Sequence, residues 1–516
     1  MQILFVLFGS RGDVVPSAAL AAAARKAGHS VCMMVPREYL LLVPEGVEAV
    51  TYCLTHSGQY EQKKKSGPAA SDELDKLKSI TEYVRLEMET LYAGDNFDTA
   101  VDELLGHARR LAADVIVADS NTTPWAINAA EYLGVNCVVM MPADVMPRVD
   151  KFALASDDNA PPAFLTLYIH YMYQTHHAVP PVLARKIAAW RASHGLRPAP
   201  SPWVFFFDIG VNYIAHYSPT LYPPAPEWAE WGVAQNVAVT GDLQTAHVTA
   251  GDAELPSESL RAFVAAGAPP VYVGWGSLPV GHLLGEVAIR ALHEVGLRGV
   301  ILVGTHAVEA ERLGLHQLDQ GARDYEALVA WAGANILFIG ACDHQWLFPR
   351  CCAIVHHGGA GTTATGMKLG VPSIITPLVA DQWEHMRAAV RSGVGPTMPG
   401  MMKLTATQLA DALGRVATDA SYRANAQALA TKLALEEPGT AVALRVLERF
   451  ARNKTLFADY WTRVDAGLPS RAPYRRWWAV ADLFLAPHRL PHRVALGGLL
   501  LAGAGRLAWR LIGFSV

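Results

Sequence analysis

Two stretches far apart in the chain share one pattern, and together they restrict the fold more than any other feature. Gln2 to Phe8 (QILFVLF) is a continuous apolar run of strand length, bounded by Gly9-Ser10-Arg11-Gly12-Asp13. Pro16 to Ala27 then reads as an alanine-rich helix closed by Gly28. Pro270 to Ser277 (PVYVGWGS) repeats the sequence of strand and glycine turn. After the first unit, strands are predicted over 30–35, 47–52, 115–118 and 136–141, with a helix over 123–133. After the second they are predicted over 299–304, 335–339, 353–355 and 373–377, with closing helices over 405–418, 421–436 and 440–452. Strand, glycine turn and helix open a doubly wound sheet, so the expected fold class is α/β with two facing Rossmann-like domains and a cleft between them. The predicted division is 1–221 for the first domain, 222–257 for a proline-rich and charged linker, 258–452 for the second domain and 453–516 for a C-terminal extension.

Length and composition agree with that division. A chain of 516 residues exceeds one ordinary domain, and 51% hydrophobic with 17% charged residues supports large cores rather than disorder. A formal charge of −4 offers nucleic acid no general attraction. The six cysteines show no paired zinc spacing and mostly sit in or beside predicted strands, which reads as buried thiols in a reducing compartment. Met1 leads into a strand without a basic segment or cleavage site, so a cytoplasmic protein is expected.

The chemistry concentrates between Cys342 and Gln382. A short buried strand (353–355) leads into His356-His357-Gly358-Gly359-Ala360-Gly361-Thr362-Thr363, and the threonines open a helix running to about Leu369. Glycines let backbone N–H groups approach a ligand closely, and the positive end of a helix suits a phosphate. Asp381-Gln382 lies beyond the carboxyl end of the next strand, where open α/β sheets bind ligands. The segment reads as a diphosphate cradle followed by a sugar clamp.

HHGGAGTTATG, the preceding DHQWLFP, the closing DQ and the upstream VYVGWGSLPV resemble the nucleotide-sugar half of the family 1 glycosyltransferases of the two-Rossmann-domain (GT-B) type. Sterol 3-β-glucosyltransferases and antibiotic glycosyltransferases are the most similar members. The resemblance extends over about Met1 to Arg452 and is loose between about Gly58 and Trp203. It implies that the last closing helix returns to the first domain. It also implies a UDP-sugar donor: His357 and Thr362 on the phosphates with Gly359, Ala360 and Gly361, Ser277 as a second phosphate-side hydroxyl, and Gln345 and Trp346 packing the base. Asp381 and Gln382 then hold hexose hydroxyls, and Ser10, Arg11 and Gly12 complete the donor side from the first domain. Thr365 stands where plant-metabolite relatives carry a ribose-binding Glu. Core packing for Trp346, a turn for Ser277 and a helix N-cap for Thr362 are the structural alternatives.

In the same resemblance, many relatives carry a Gly-His-x-x-Pro base. Here Gly12-Asp13-Val14-Val15-Pro16 makes Asp13 the expected general base, with Asp119 orienting or assisting it. Helix capping is the rival role for Asp13; the positive helix end and Arg11 favour its charged form, and burial under an apolar acceptor opposes it. The chain has no Asp-x-Asp pair, so no metal site and no cofactor is expected beyond the UDP-sugar itself. The expected reaction is inverting transfer of glucose from UDP-glucose to a hydroxyl of a sterol or similar apolar acceptor. A polyketide or other natural-product acceptor, a nucleotide-sugar epimerase and a non-catalytic binder are the alternatives. The aromatic stretch from Phe164 to Tyr173 is either an acceptor wall or ordinary core.

From Gly467 onward the chain carries seven arginines against one aspartate, with Trp477, Trp478 and Trp509 interleaved. Its apolar run, Val494 to Gly505, is shorter than the roughly 20 residues that a spanning helix needs. Peripheral contact with an anionic membrane and packing on the domain surface are both open for it.

Overall fold

A computed structural model describes residues 1–8, 11–52, 96–119, 121–142, 181–198, 209–230, 234–243, 256–275, 284–302, 323–340, 342–378, 381–453 and 456–468. The first unit runs β1 (Gln2–Val6), α1 (Arg11–Lys26), β2 (Ser30–Val35), β3 (Glu48–Thr51), α2 (Asn96–Leu111), β4 (Val115–Ala118), α3 (Thr123–Leu133), β5 (Asn136–Met141), α4 (Pro181–Ser193), β6 (Asn212–Ala215), α5 (Glu227–Glu230) and β7 (Val237–Val239). The second runs α6 (Glu258–Ala265), β8 (Val271–Gly274), α7 (Gly285–Val295), β9 (Gly299–Leu302), α8 (Tyr325–Asn335), β10 (Ile336–Ile339), α9 (His344–Leu347), β11 (Ala353–His356), α10 (Ala360–Lys368), β12 (Ser373–Ile375), α11 (Gln382–Arg391), α12 (Ala406–Thr418) and α13 (Ala420–Leu433). Then α14 (Gly439–Ala451) and α15 (Leu456–Asp465) close the described chain.

Both sheets are parallel. Their strand orders are β3-β2-β1-β4-β5-β6-β7 and β10-β9-β8-β11-β12. Each chain segment winds outward from its first strand and then crosses back to that strand's other side. The reversal falls between β1 and β4 in one sheet and between β8 and β11 in the other, and an open sheet has its ligand crevice there. Register makes the crevices coincide with the predicted motifs: Val6 pairs with Ala118, and His356 with Gly274. The strands flanking them are apolar on both faces because helices cover both, and β4, β5, β8 and β11 are buried along their whole length.

Three expectations shift. Helix α1 starts at Arg11 rather than Pro16, so Asp13 lies inside its first turn. The stretch read as linker contributes β7, which pairs with β6 and extends the first sheet. Within the predicted extension, α15 packs on the first domain: Phe457 joins that domain's core, Trp461 Nε1 donates to Glu131 Oε1 at 2.8 Å, and Arg197 forks onto Asp465 at 2.7 and 2.8 Å. As the resemblance implies, α14 also returns to the first domain, where Ala443, Leu447 and Phe450 are buried with Ile3, Phe5 and Val14. The aromatic stretch from Phe164 to Tyr173 and the basic tail beyond residue 468 lie outside the described residues. Among the described residues no helix is long and apolar enough to cross a membrane.

Candidate active site

At the first switch point Asp119 is 3% exposed and acts as a node. Its Oδ2 accepts the Phe8 N–H at 2.6 Å, and its Oδ1 accepts the N–H groups of Asn121 and Thr122 at 2.9 and 2.8 Å. The end of β4 thereby fixes both the exit of β1 and the start of α3. Burial raises the Asp119 carboxyl well above the usual carboxylate range, and the Asp13 charge beside it adds to the rise; bonds from Thr122 and Phe8 oppose it. Two carboxylates that feel one another at a crevice suit proton transfer. Asp13 sits at the third position of α1, inside the first turn rather than at the N-cap. Gly12 precedes it in the same turn and is exposed. Arg11 opens the helix, and Ser10 lies outside the described residues.

At the second switch point Gly358 has φ of +90°, and a Cβ there would stand 2.7 Å from Ile375 Cγ2 and 3.1 Å from the Gln382 carbonyl oxygen. Only glycine fits that turn. The N-cap of α10 is Gly359, followed by Ala360, Gly361 and Thr362. The N–H groups of these three residues have no partner within the helix, an arrangement that can hold an anion. Thr362 is half-buried inside the first turn, so it is not the cap. Thr363 turns inward and bonds Gly359 O at 2.9 Å, and Thr365 is buried.

The two histidines divide as their burial dictates. His356 is fully buried and accepts the Gly358 N–H on Nδ1 at 3.1 Å, which assigns it to holding the turn. The His357 ring folds over Gly359, where a Cβ would meet its Nε2 at 2.5 Å. Its Nδ1 is buried with no hydrogen-bond partner among the described residues. Burial lowers its pKa to about 4, against the opposing pull of Asp381. His357 is therefore held in its neutral form, with one ring N–H to donate.

Asp381 is the N-cap residue of α11 and is half-buried. Gln382 is buried, and its Oε1 accepts the Leu378 N–H at 2.8 Å, so its carbonyl holds the β12 exit. Trp346 belongs partly to an apolar cluster with Phe348 and Ile354, and Arg350 covers its ring at 4.4 Å. Gln345 is exposed beside it. Ser277 lies outside the described residues; the neighbouring Trp275 donates to Thr376 Oγ1 at 2.9 Å and ties β8 to the β12 exit.

The two halves meet across one cleft, lined by Gly12, Pro16 and His216 from the first domain and Ala360, Thr363 and His385 from the second. Lys368 Nζ donates to Asp242 Oδ2 at 2.8 Å, and Ser218 Oγ to Glu436 Oε1 at 2.5 Å, across the same divide. Burial brings the His216 pKa to about 4, while Asp242 and Asp381 act to raise it. His216, Tyr222 and Asp242 escaped the sequence reading because they follow β6 and β7 in a stretch without periodicity. His385 was findable, since it falls one helical turn after Asp381 on the same face.

A family model described as the erythromycin biosynthesis protein CIII-like C-terminal domain matches residues 318–448. The sterol 3-beta-glucosyltransferase of Saccharomyces cerevisiae (strain YJM789) is 28% identical over 471 residues, covering 87% of this chain but only 35% of that enzyme's length. The vancomycin aglycone glucosyltransferase of Amycolatopsis orientalis is 28% identical over 455 residues, covering 87% and 97% of the two chains. Among solved structures, the glycosyltransferase of kitacinnamycin superposes with a TM-score of 0.60 at 18% identity, over 87% of this chain and 98% of its own. Two Rossmann-like domains closing on one cleft define a GT-B fold. These matches support a family 1 glycosyltransferase of that type.

Proposed function

We propose that this chain transfers glucose from UDP-glucose, with inversion and without a metal ion, to a hydroxyl of a sterol or similar apolar acceptor. The observation that carries this reading is the convergence of both switch points on one cleft: Gly12 and Pro16 flank Asp13 on one side, and Ala360 and Thr363 belong to the cradle helix on the other. In the proposed step Asp13 takes the acceptor proton. The freed oxygen pair forms a bond to the anomeric carbon as the bond to the diphosphate oxygen breaks, so an α-linked donor gives a β-glycoside. Charge gathering on the leaving UDP meets the first N–H groups of α10 and the His357 N–H. Ser277 and Thr362 add hydroxyls, Gln345 and Trp346 flank the base, and Asp381 with the Gln382 amide grips the hexose. Ser10, Arg11 and Gly12 close the donor side. Asp119 holds the exit of β1, from which the chain runs on to Asp13, and the two carboxylates oppose each other's ionisation.

The sterol assignment draws on the name of the yeast relative and on the apolar character expected of the acceptor. The test is incubation of the purified chain with labelled UDP-glucose and separate sterol, polyketide and glycopeptide aglycones, with and without a chelator. Glucosylated sterol formed equally in both conditions is the expected result. Transfer confined to the natural-product aglycones would replace the acceptor class, and loss of transfer on chelation would overturn the metal-independent step.

A further inference from the structure

Tyr222 stands in the segment after β6, in the first domain, and His385 stands on α11, in the second. They are 2% and 3% exposed. Tyr222 Oη lies 2.5 Å from His385 Nδ1, with the rings edge-on at 5.6 Å. Around them Ala215 and Tyr217 of the first domain pack with Ala388 of the second. The other imidazole nitrogen, Nε2, lies 3.4 Å from Asp381 Oδ2 but is not aligned as a hydrogen bond, and it has no other partner among the described residues.

A neutral imidazole carries one N–H, and the partner of one nitrogen decides which nitrogen that is. If Nδ1 donated to Tyr222, Nε2 would turn a lone pair toward the Asp381 carboxylate, which is repulsive. If Nδ1 accepts the tyrosine O–H, Nε2 carries the hydrogen and faces that carboxylate. Of these two neutral forms, only the second presents an attractive group to both partners.

We propose that Tyr222 and His385 are positioning residues for Asp381: a hydroxyl from the first domain fixes the His385 tautomer, and the resulting Nε2–H holds the Asp381 carboxylate toward the hexose when the domains are together. The proposal rests on the reading of Asp381 as the sugar clamp. It makes recognition of the sugar depend on closure of the cleft. UDP alone stops short of Asp381 and does not register the device.

Tyr222→Phe in the full chain removes one hydroxyl and little else. The expected result is a rise in KM for UDP-glucose of about three- to tenfold, a smaller change in kcat and an unchanged Kd for UDP. His385→Ala should match it. His385→Gln, whose amide can donate to Asp381 without help from Tyr222, should restore KM, and adding Tyr222→Phe to it should then change nothing further. Equal loss of UDP and UDP-glucose affinity in Tyr222→Phe, or a glutamine variant as impaired as the alanine one, overturns the proposal. Histidine nitrogen shifts of the ligand-free protein give an independent reading. Nε2–H is expected at His385 in the wild type, and Nδ1–H overturns the tautomer argument whatever the substrate. A wild type with the expected tautomer that does not bind UDP-glucose overturns the proposal through its premise, the sugar role of Asp381.

Discussion

Asp119 Oδ2 accepts the Phe8 N–H at 2.6 Å, so the residue that ends one central strand of the first sheet holds the exit of its neighbour. Three backbone N–H groups converge on this carboxylate from two loops. An asparagine there would oppose its own NH2 to one set of donors. Asp119→Asn is therefore expected to cost about 2 kcal/mol or more and to lower kcat while UDP affinity stays within about twofold. Urea unfolding with calorimetric titration checks both. Unchanged stability would show that the node is dispensable.

The proposed order of the second site, phosphate at the α10 start and sugar at the α11 start, predicts a split. His357→Ala should weaken UDP by about tenfold, since one N–H donor to a charged phosphate is lost. Asp381→Ala should leave UDP binding intact and damage use of UDP-glucose. Titration of both variants with both ligands decides it, and equal losses throughout would remove the division of roles.

Stability should depend on pH through buried histidines. Burial brings His216, His344 and His357 down to about 4 and His356 well below its ordinary value. Unfolded, each takes up a proton near 6.5, so between about pH 6.5 and 4 the unfolded chain binds more protons and folding weakens as pH falls. Asp119 acts oppositely: its raised pKa contributes stability at low pH that is lost as pH rises through the elevated value. Four histidines outweigh one carboxylate, so Tm should fall steeply from pH 7 to 5, and less steeply in His344→Phe. A flat profile would contradict the burial of these rings as neutral groups.

Much of this architecture was legible from the sequence because its strands are continuous apolar runs between glycine turns. Ser30–Val35, Val115–Ala118 and Asn136–Met141 fall where periodicity puts them. The cradle was legible because Gly358 and Gly359 stand where backbone must approach closely. What escaped depends on tertiary placement. Tyr222 and Asp242 matter only because β6 and β7 carry their segments to the second domain, and Gln382 loses its carbonyl to Leu378 through a turn that composition does not specify. Pro16 masked the start of α1, since a proline reads as a first-turn residue and here sits in the sixth position.

The start of the C-terminal extension should behave as core. Phe457 is buried, and Trp461 binds the Glu131 oxygen that does not pair with fully buried Arg191. Ending the chain after Asn453 should lower Tm by about 5 °C or more relative to ending it after Leu468. Equal melting of both truncations would mean that α15 contributes nothing to the first domain.

Whether Asp13 removes the acceptor proton in an inverting transfer can be read from single-turnover transfer from labelled UDP-glucose by the wild type and Asp13→Asn, with the anomeric configuration of the product determined by NMR. A β-glucoside from the wild type and a chemical step slowed by about 10²-fold or more in the variant, with UDP affinity unchanged, are expected. An α-linked product, or a variant that turns over at the wild-type rate, would contradict the proposed step.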